Sequence, residues 1–188
     1  MRVKYTFYIV GVGGTGSLFA RDLPQLLIGT NHRMVLIDGD TVAKKNVARQ
    51  SYQIQDVGLN KAIALAKKIN SFYDISCEAI DKYITLNELT ERIKRDSSIP
   101  VIIGCVDNDA TRKLLEDTFK QQKAAVYIDS ANSAYSGNVF VTVKSSGNRH
   151  GKLRSEVYEL KNDKKPTDKS CQEYVSEGNL QYMVTNAK

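Results

Sequence analysis

The chain has 188 residues, of which 41% are hydrophobic and 26% charged, and its formal net charge is +6. This length suits one soluble domain with a sizeable core, and no apolar stretch is long enough to span a bilayer. Three cysteines exclude a disulfide framework and a zinc ribbon, and the N-terminus lacks an apolar signal region, so we expect a cytoplasmic protein.

The spacing of apolar residues predicts alternating strands and helices along the first two thirds of the chain. We predict strands at 5–10, 33–38, 74–80, 100–106 and 125–129, and helices at 15–28, 58–69, 86–95 and 109–122. This repetition predicts an α/β fold, Rossmann-like and doubly wound, with a mostly parallel sheet covered on both faces. After it, alternating residues at 137–144 and 153–160 predict an antiparallel hairpin that extends the sheet toward the C-terminus.

A glycine turn, Gly11-Val12-Gly13-Gly14-Thr15-Gly16, lies between the first strand and the first helix. Glycines allow a tight turn and let backbone N–H groups approach phosphate oxygens, while the helix directs its partly positive N-terminus at the same anion. Asp38 lies at the end of the second predicted strand, 22 positions after Gly16 (38 − 16). A carboxylate at about that distance takes a ribose hydroxyl in dinucleotide-binding folds. The pattern therefore predicts a nucleotide site.

The residues after this acid differ from those of an ordinary dinucleotide dehydrogenase. Asp40 leads into a polar segment that carries Asn46, Arg49 and Gln50, and Lys61 follows. The planar fork of an arginine and the mobile charge of a lysine suit a triphosphate that must be held and then cleaved. The alternative is that Arg49 and Lys61 are solvated surface charges.

The strand predicted at 100–106 is apolar throughout and is followed by Asp107 and Asn108. Ligands of open α/β sheets bind at the carboxyl ends of the strands, so Asp107 is a candidate metal ligand. One of the two residues could instead cap the helix that follows. Because two polar side chains are available, a cap and a metal ligand can coexist.

Taken in order, these motifs resemble the E1-like superfamily of ubiquitin-activating proteins, with its ThiF, MoeB and HesA members. The match comprises the glycine turn, Asp38-Gly39-Asp40-Thr41-Val42, Asn46 to Gln50, Gly58 to Lys61, and Cys105 to Asn108 with Arg112 behind them. The sequences from Asn46 to Gln50 and from Asp56 to Ala62 look most like those of ThiF-type proteins of plasmid and phage gene clusters. The resemblance covers most of the chain and implies a single adenylation domain over residues 1–188.

The resemblance implies an ATP-dependent adenylyltransferase that activates the C-terminal carboxylate of a ubiquitin-like or sulfur-carrier protein ending in Gly-Gly. Magnesium would accompany ATP, and the enzyme would be a homodimer without a nucleic-acid or membrane partner. The glycines would hold the phosphates, Asp38 the ribose and Asp107 the Mg²⁺ ion, while Arg49 and Lys61 would act on the phosphates. The nucleotide site would also include Asp40, Asn46, Gln50 and Asn108.

Cysteine usage bears on a second step, in which the activated carboxyl group passes to a thiol. Cys77 and Cys105 lie in apolar strands and are expected to pack as small apolar residues. Cys171 lies in a polar stretch that could open a helix, where a thiolate is favoured. Some family members have a reactive cysteine in a segment that aligns here, whereas others have a non-essential cysteine or none. Both a catalytic and an inert thiol at Cys171 therefore remain open.

The chain departs from the family in two respects. It lacks the paired Cys-x-x-Cys motifs of a structural zinc site, so we do not expect zinc. It also stops at Lys188, where family members usually continue with another strand and helix, so the domain is expected to be truncated there or to be a compact variant.

Two further functions remain as alternatives. A Rossmann module could bind NAD or another nucleotide without adenylating anything, but such a module has no need of as many triphosphate contacts as Asn46, Arg49, Lys61 and Asp107 would provide. A degenerate, non-catalytic partner of an activating enzyme would usually lack these residues. Their presence favours the enzyme.

Overall fold

A computed structural model describes residues 3–132 and 136–161 of the chain. In these residues seven strands form one sheet, in the order β3-β2-β1-β4-β5-β6-β7. The strands are β1 Tyr5–Val10, β2 Arg33–Ile37, β3 Ser76–Ile80, β4 Ile99–Gly104, β5 Ala125–Asn132, β6 Gly137–Ser145 and β7 Asn148–His150. The α-helices are α1 Gly14–Asp22, α2 Pro24–Leu27, α3 Lys61–Phe72, α4 Leu86–Arg95 and α5 Asp109–Lys120. Short 3₁₀ helices span Lys44–Asn46, Ile54–Asp56 and Arg154–Glu156.

The strand order reverses at β1, which fixes where a ligand can bind. β1 pairs in parallel with β2 on one side and with β4 on the other, so the chain winds outward in both directions from this strand. β3 and β5 extend the parallel sheet, while β6 and β7 are antiparallel additions beyond β5. Ligands of such sheets bind beyond the carboxyl ends of the strands at this reversal. The predicted fold class is therefore confirmed.

Two apolar cores cover the two faces of the sheet. Successive residues of β1 point to opposite faces, so Ile9 packs with Leu36 and Leu65 on one side, and Tyr8 packs with Leu115 on the other. All five of these side chains are nearly inaccessible to solvent. A sheet covered on both faces explains why its central strands are apolar throughout. No helix within the described residues is long and apolar enough to cross a bilayer.

Most predicted elements form, and their bounds shift by one to three residues. α4 matches both predicted ends because Thr85 and Glu88 form a capping box at its start. The single helix predicted at 15–28 is wrong. It divides at Leu23, because Pro24 lacks an N–H group and occupies the first position of a separate short helix, α2.

The second strand of the predicted C-terminal hairpin is also wrong. β6 turns back at Ser146 and Gly147, as expected, but β7 ends at His150, and the segment predicted as a strand at 153–160 contains a 3₁₀ turn instead. Gly151 redirects the chain with a φ of +93°, and a Cβ atom there would lie 2.3 Å from the Val141 carbonyl oxygen. The buried side chains of this segment pack against the domain rather than alternate across a sheet. The predictions for residues 162–188 lie outside the described residues.

Candidate nucleotide site

The glycine turn connects β1 to α1 and leaves the helix N-terminus open. Gly13 is the N-cap residue, no side chain caps the helix, and its first turn contains no acidic residue. Backbone N–H groups of a first helical turn have no partner within the helix, so an anion can accept from them. Gly11 has a φ of +83°, and a Cβ atom on Gly16 would lie 1.9 Å from the Gly11 carbonyl oxygen. The turn therefore requires glycine at both positions.

Asp38 lies beside this turn, directly after β2. Its Oδ2 accepts a hydrogen bond from the Val12 backbone N–H at 2.8 Å, and its Oδ1 accepts from the Asp40 N–H at 2.9 Å. Burial raises the pKa of Asp38, against the opposing effect of Lys61 and the two N–H donors. The predicted ribose ligand is thus fixed in orientation at the mouth of the glycine turn.

Asp40 and Lys61 form an ion pair at the edge of the same site. Lys61 Nζ lies 2.8 Å from Asp40 Oδ2, and the lysine side chain is 9% exposed while the carboxylate is 50% exposed. Burial would raise the pKa of Asp40, but hydrogen bonds from Lys61 and the Tyr83 hydroxyl outweigh it and lower the pKa. The alternative of a solvated Lys61 is therefore wrong, because its side chain is buried against an acid of the site.

A loop after β2 wraps over the start of α1 and is attached to it by hydrogen bonds. The Tyr52 hydroxyl donates to the Val12 carbonyl oxygen at 2.7 Å, and the Ser51 N–H donates to Ser17 Oγ at 3.0 Å. At the beginning of this loop, Asn46 is buried and its Oδ1 accepts from the Ala43 N–H at 2.8 Å. The amide NH₂ of Asn46 stays available as a donor.

Arg49 and Gln50 lie on this loop with unsatisfied polar atoms. Arg49 Nε and Gln50 Oε1 are buried, and neither has a hydrogen-bond partner within the residues that the structure describes. Gln50 is 4% exposed, and its Nε2 lies 4.0 Å from the position that a Cβ atom would take on Gly13. Buried polar groups without partners cost free energy, so Gln50 beside the N-terminus of α1 and Arg49 next to it in the chain carry polar atoms that a ligand could satisfy.

Asp107 and Asn108 follow β4 on the other side of β1. Asn108 is the N-cap of α5, because its Oδ1 accepts from the Thr111 N–H at 2.8 Å. Asp107 is exposed and makes no hydrogen bond or ion pair with the described residues. The hydrogen bond of Tyr83 to Asp40 and burial raise the pKa of Tyr83 to about 12, and the charges of Asp40, Asp38 and Asp107 add to this rise. Asn108 is therefore the residue that caps α5, and Asp107 remains available to a ligand.

The residues present are suited to a metal that arrives with phosphates. Among the described residues, no three acidic, histidine or cysteine side chains are grouped closely enough to hold an ion alone. Mg²⁺ is commonly held by one or two carboxylates together with substrate phosphates and water. A single free carboxylate, Asp107, fits this arrangement, and the bound ion would neutralise phosphate charge.

The structure identifies neighbours of the site that the sequence reasoning missed. Tyr83 lies in the connection after β3, and its ring covers the backbone of Gly39 while its hydroxyl donates to Asp40. Tyr52 and Ser17 attach the polar loop to α1. The position of Tyr83 just past a parallel strand was the available signal, because every such connection meets the same edge of the sheet.

Two of the three cysteines, Cys77 and Cys105, lie within the described residues. Cys77 is buried in β3, and burial raises the pKa of its thiol to about 12. Cys105 lies just past β4, and burial raises its pKa as well. Both are poor nucleophiles in these positions. Cys171 lies outside the described residues, and its role stays a prediction.

A glycine turn, an acid after β2 and polar loops at the reversal of a parallel sheet define a Rossmann-like nucleotide-binding protein. The model of the ThiF family matches residues 3–186, and the chain belongs to this family. The predicted membership is confirmed.

Relatives and solved structures agree with this assignment. Ubiquitin-like modifier-activating enzyme 5 of Branchiostoma floridae is 30% identical over 149 residues, which are 73% of this chain and 36% of that protein. The enzyme of the same name from Oryza sativa subsp. japonica is 30% identical over 122 residues, or 59% and 28% of the two chains. The chain thus spans about a third of the length of these relatives.

Among solved structures, E. coli tRNA N6-threonylcarbamoyladenosine dehydratase, TcdA, in complex with ATP has a TM-score of 0.51 and 26% identity, covering 60% of this chain and 44% of that one. PaaA has a TM-score of 0.59 with 21% identity, covering 90% and 49%, and shows the fold alone. At the level of the family, these matches support an ATP-using enzyme of the adenylyltransferase type.

Proposed function

We propose that this chain adenylates the C-terminal carboxylate of a ubiquitin-like or sulfur-carrier protein that ends in Gly-Gly. The observation that carries the proposal is the pair of unsatisfied buried atoms, Arg49 Nε and Gln50 Oε1, beside the open N-terminus of α1. The relatives named as activating enzymes of a ubiquitin-like modifier supply the class of substrate. Homodimer formation is part of the same proposal.

In the proposed reaction, a carboxylate oxygen of the carrier attacks the α-phosphorus of ATP. The bond between this phosphorus and the bridging oxygen to the β-phosphate breaks, so that pyrophosphate leaves and an acyl adenylate remains. Two anions must approach each other, so fixed positive charge and N–H donors lower the barrier. The glycine turn would hold phosphate oxygens and Asp38 would accept a hydrogen bond from the ribose.

Four further side chains have roles in this proposal. Arg49 and the amide group of Asn46 would donate to phosphate oxygens from the loop over α1. Lys61 Nζ donates to Asp40 Oδ2 at 2.8 Å, and part of this hydrogen bonding would move from Asp40 to a phosphate when ATP binds. Asp107 would hold a Mg²⁺ ion that offsets phosphate charge. Asp40 would thereby be a positioning residue for Lys61.

The experiment is pyrophosphate–ATP exchange with a small carrier protein ending in Gly-Gly. Wild type should catalyse exchange only when the carrier is present, and Arg49→Ala or Asp107→Ala should abolish it. Lys44→Ala is a matched control, because Lys44 is an exposed cation near the beginning of the same loop. Undiminished exchange in both site variants would contradict the roles of Arg49 and Asp107.

A second step, transfer to Cys171, is tested separately. In the proposal, the thiolate would attack the acyl carbon and AMP would leave. Cys171→Ser should keep exchange and lose a thiol-sensitive carrier adduct. If the variant still transfers the carrier beyond the adenylate, Cys171 has no part in the mechanism.

A further inference from the structure

A buried carboxylate, Asp129 of β5, is shared by two arginines from distant parts of the chain. Asp129 is 0% exposed, and its two oxygens accept from Arg112 Nη1 of α5 and from Arg154 Nε. Both arginines are themselves buried. Removing such charges from water is costly, and buried ion pairs often contribute no net stability, so stability alone explains this cluster poorly.

Arg112 connects this cluster to the candidate metal ligand. Its Nη2 donates to the carbonyl oxygen of Val106, the residue directly before Asp107, and its Nε lies 3.7 Å from Asp109 Oδ1. The guanidinium therefore contacts the chain on both sides of Asp107. Because the arginine fork is planar and its donors have fixed directions, fixing one edge on Asp129 also fixes the hydrogen bond to Val106.

Arg154 binds the second oxygen of Asp129 and packs against two aromatic rings. Its guanidinium stacks on the ring of Phe140, with 4.8 Å between its central carbon and the ring centroid, and lies 5.8 Å from that of Tyr158. At the other end of the same segment, the Lys161 N–H donates to Asp109 Oδ2 at 3.0 Å. The segment 153–161 thus contacts both the buried carboxylate and the residues beside Asp107.

We propose that Arg154 is a positioning residue for Asp107, acting through Asp129 and Arg112. With Arg154 in place, Asp129 keeps Arg112 directed at Val106, and the chain on both sides of Asp107 is held so that its carboxylate can meet a phosphate-bound Mg²⁺. This inference rests on the proposed function, since it assigns Asp107 to the metal that accompanies ATP. The competing explanation is that Arg154 only fastens the segment 153–161 to the domain.

The two explanations differ in what happens to metal dependence. Removing an outer partner of a metal ligand typically costs about 10–100-fold in metal affinity. Arg154 acts on Asp107 only through Asp129 and Arg112, so Arg154→Met should weaken binding of ATP with Mg²⁺ by about 10-fold, the lower end of this range, while binding of ATP in EDTA changes much less. A purely structural Arg154 would weaken both forms alike or neither.

Calorimetry on the full chain measures the affinity for ATP with Mg²⁺ and the affinity for ATP in EDTA. Electron paramagnetic resonance of Mn²⁺ in the presence of ATP gives a second readout of metal binding. Arg33→Met is the control, because Arg33 pairs with Asp96 at the amino ends of the parallel strands, whereas the candidate site lies at their carboxyl ends. It should leave the ratio of the two affinities unchanged. Arg154→Lys keeps the charge, so its ratio of the two affinities should lie between those of wild type and Arg154→Met.

An unchanged ratio in folded Arg154→Met would overturn the proposal. If that variant does not fold, Arg154→Lys decides by the same ratio, with an unchanged value counting against the positioning role. A wild type that binds no ATP at all would contradict the proposed function instead, so the two failures are distinguishable.

Discussion

Lys61 Nζ lies 2.8 Å from Oδ2 of Asp40, so the cation that the sequence assigned to phosphates is held by an acid of its own site. The backbone supports this pair, since the Lys61 N–H donates to the Asp40 carbonyl oxygen at 2.9 Å. The Asn60 amide donates to the carbonyl oxygens of Asp38 and Asp40, which closes the connection between the end of β2 and the start of α3. The lysine is therefore preorganised beside the nucleotide site.

Lys61→Met should lower the rate of carrier-dependent pyrophosphate exchange by about 10²–10³, the usual cost of losing one electrostatic contact to the transition state. The measurement is exchange at saturating ATP. Lys94→Met is the control, because Lys94 is an exposed cation on α4 that pairs with Glu91. A Lys61 variant with the exchange rate of wild type would show that the ion pair with Asp40 is its whole function.

Substitutions of two glycines of the same turn should change different properties, one the stability of the fold and the other the affinity for ATP. A Cβ atom on Gly16 would lie 1.9 Å from a backbone oxygen, whereas the nearest atom to a Cβ on Gly13 is Gln50 Nε2 at 4.0 Å. Gly16→Ala should cost more than about 2 kcal/mol of unfolding free energy, in line with overpacking. Gly13→Ala should be destabilised less and should lose ATP affinity, because its methyl group stands where the backbone meets phosphate.

Thermal unfolding and calorimetry on the two variants check this prediction together. The reverse order, with Gly16→Ala stable and Gly13→Ala binding ATP normally, would contradict the assigned roles.

The sequence predicted the parts of this fold that depend on local periodicity. The apolar faces of α3, α4 and α5 repeat at helical spacing. The sequence-based prediction was wrong where a single residue redirects the chain. Pro24 divides the first helix, and Gly151 ends the second strand of the hairpin so early that the next segment packs on the domain instead.

The candidate site shows the same division. Asp38 and Asp107 follow from the rule that ligands meet the carboxyl ends of parallel strands. The pairing of Lys61 with Asp40, and the sharing of Asp129 between Arg112 and Arg154, depend on contacts between residues far apart in the chain. No local pattern carries that information, because such contacts arise only when the sheet brings the elements together.

Asp129→Ala should destabilise the fold by about 3–5 kcal/mol, since it leaves two buried guanidinium groups without their carboxylate. The measurement is the free energy of unfolding in urea. Asp22→Ala should change that value by less than about 1 kcal/mol, because the ion pair of Asp22 with Arg21 is exposed. Equal effects of the two substitutions would mean that the buried cluster is not strongly coupled.

The stability of the protein should depend on pH through Asp38. Burial raises its folded pKa above the ordinary value of 3.8, so the native state holds the proton more tightly than the unfolded chain does. This contribution is present below about pH 3.8 and is lost as pH rises through the raised folded pKa. The unfolding free energy of wild type minus that of Asp38→Asn should therefore fall with rising pH across this window. A difference that stays flat or rises would contradict the assigned shift.

The most direct test of the central claim is calorimetry that compares ATP plus Mg²⁺ with NADH on the complete, folded chain. Gln50 lies beside the uncapped N-terminus of α1, with Arg49 next to it in the chain, and Asp107 follows β4 beside the central strand. We therefore predict that ATP with Mg²⁺ binds and that NADH binds much more weakly. Strong binding of NADH, together with no detectable binding of ATP and Mg²⁺, would contradict it.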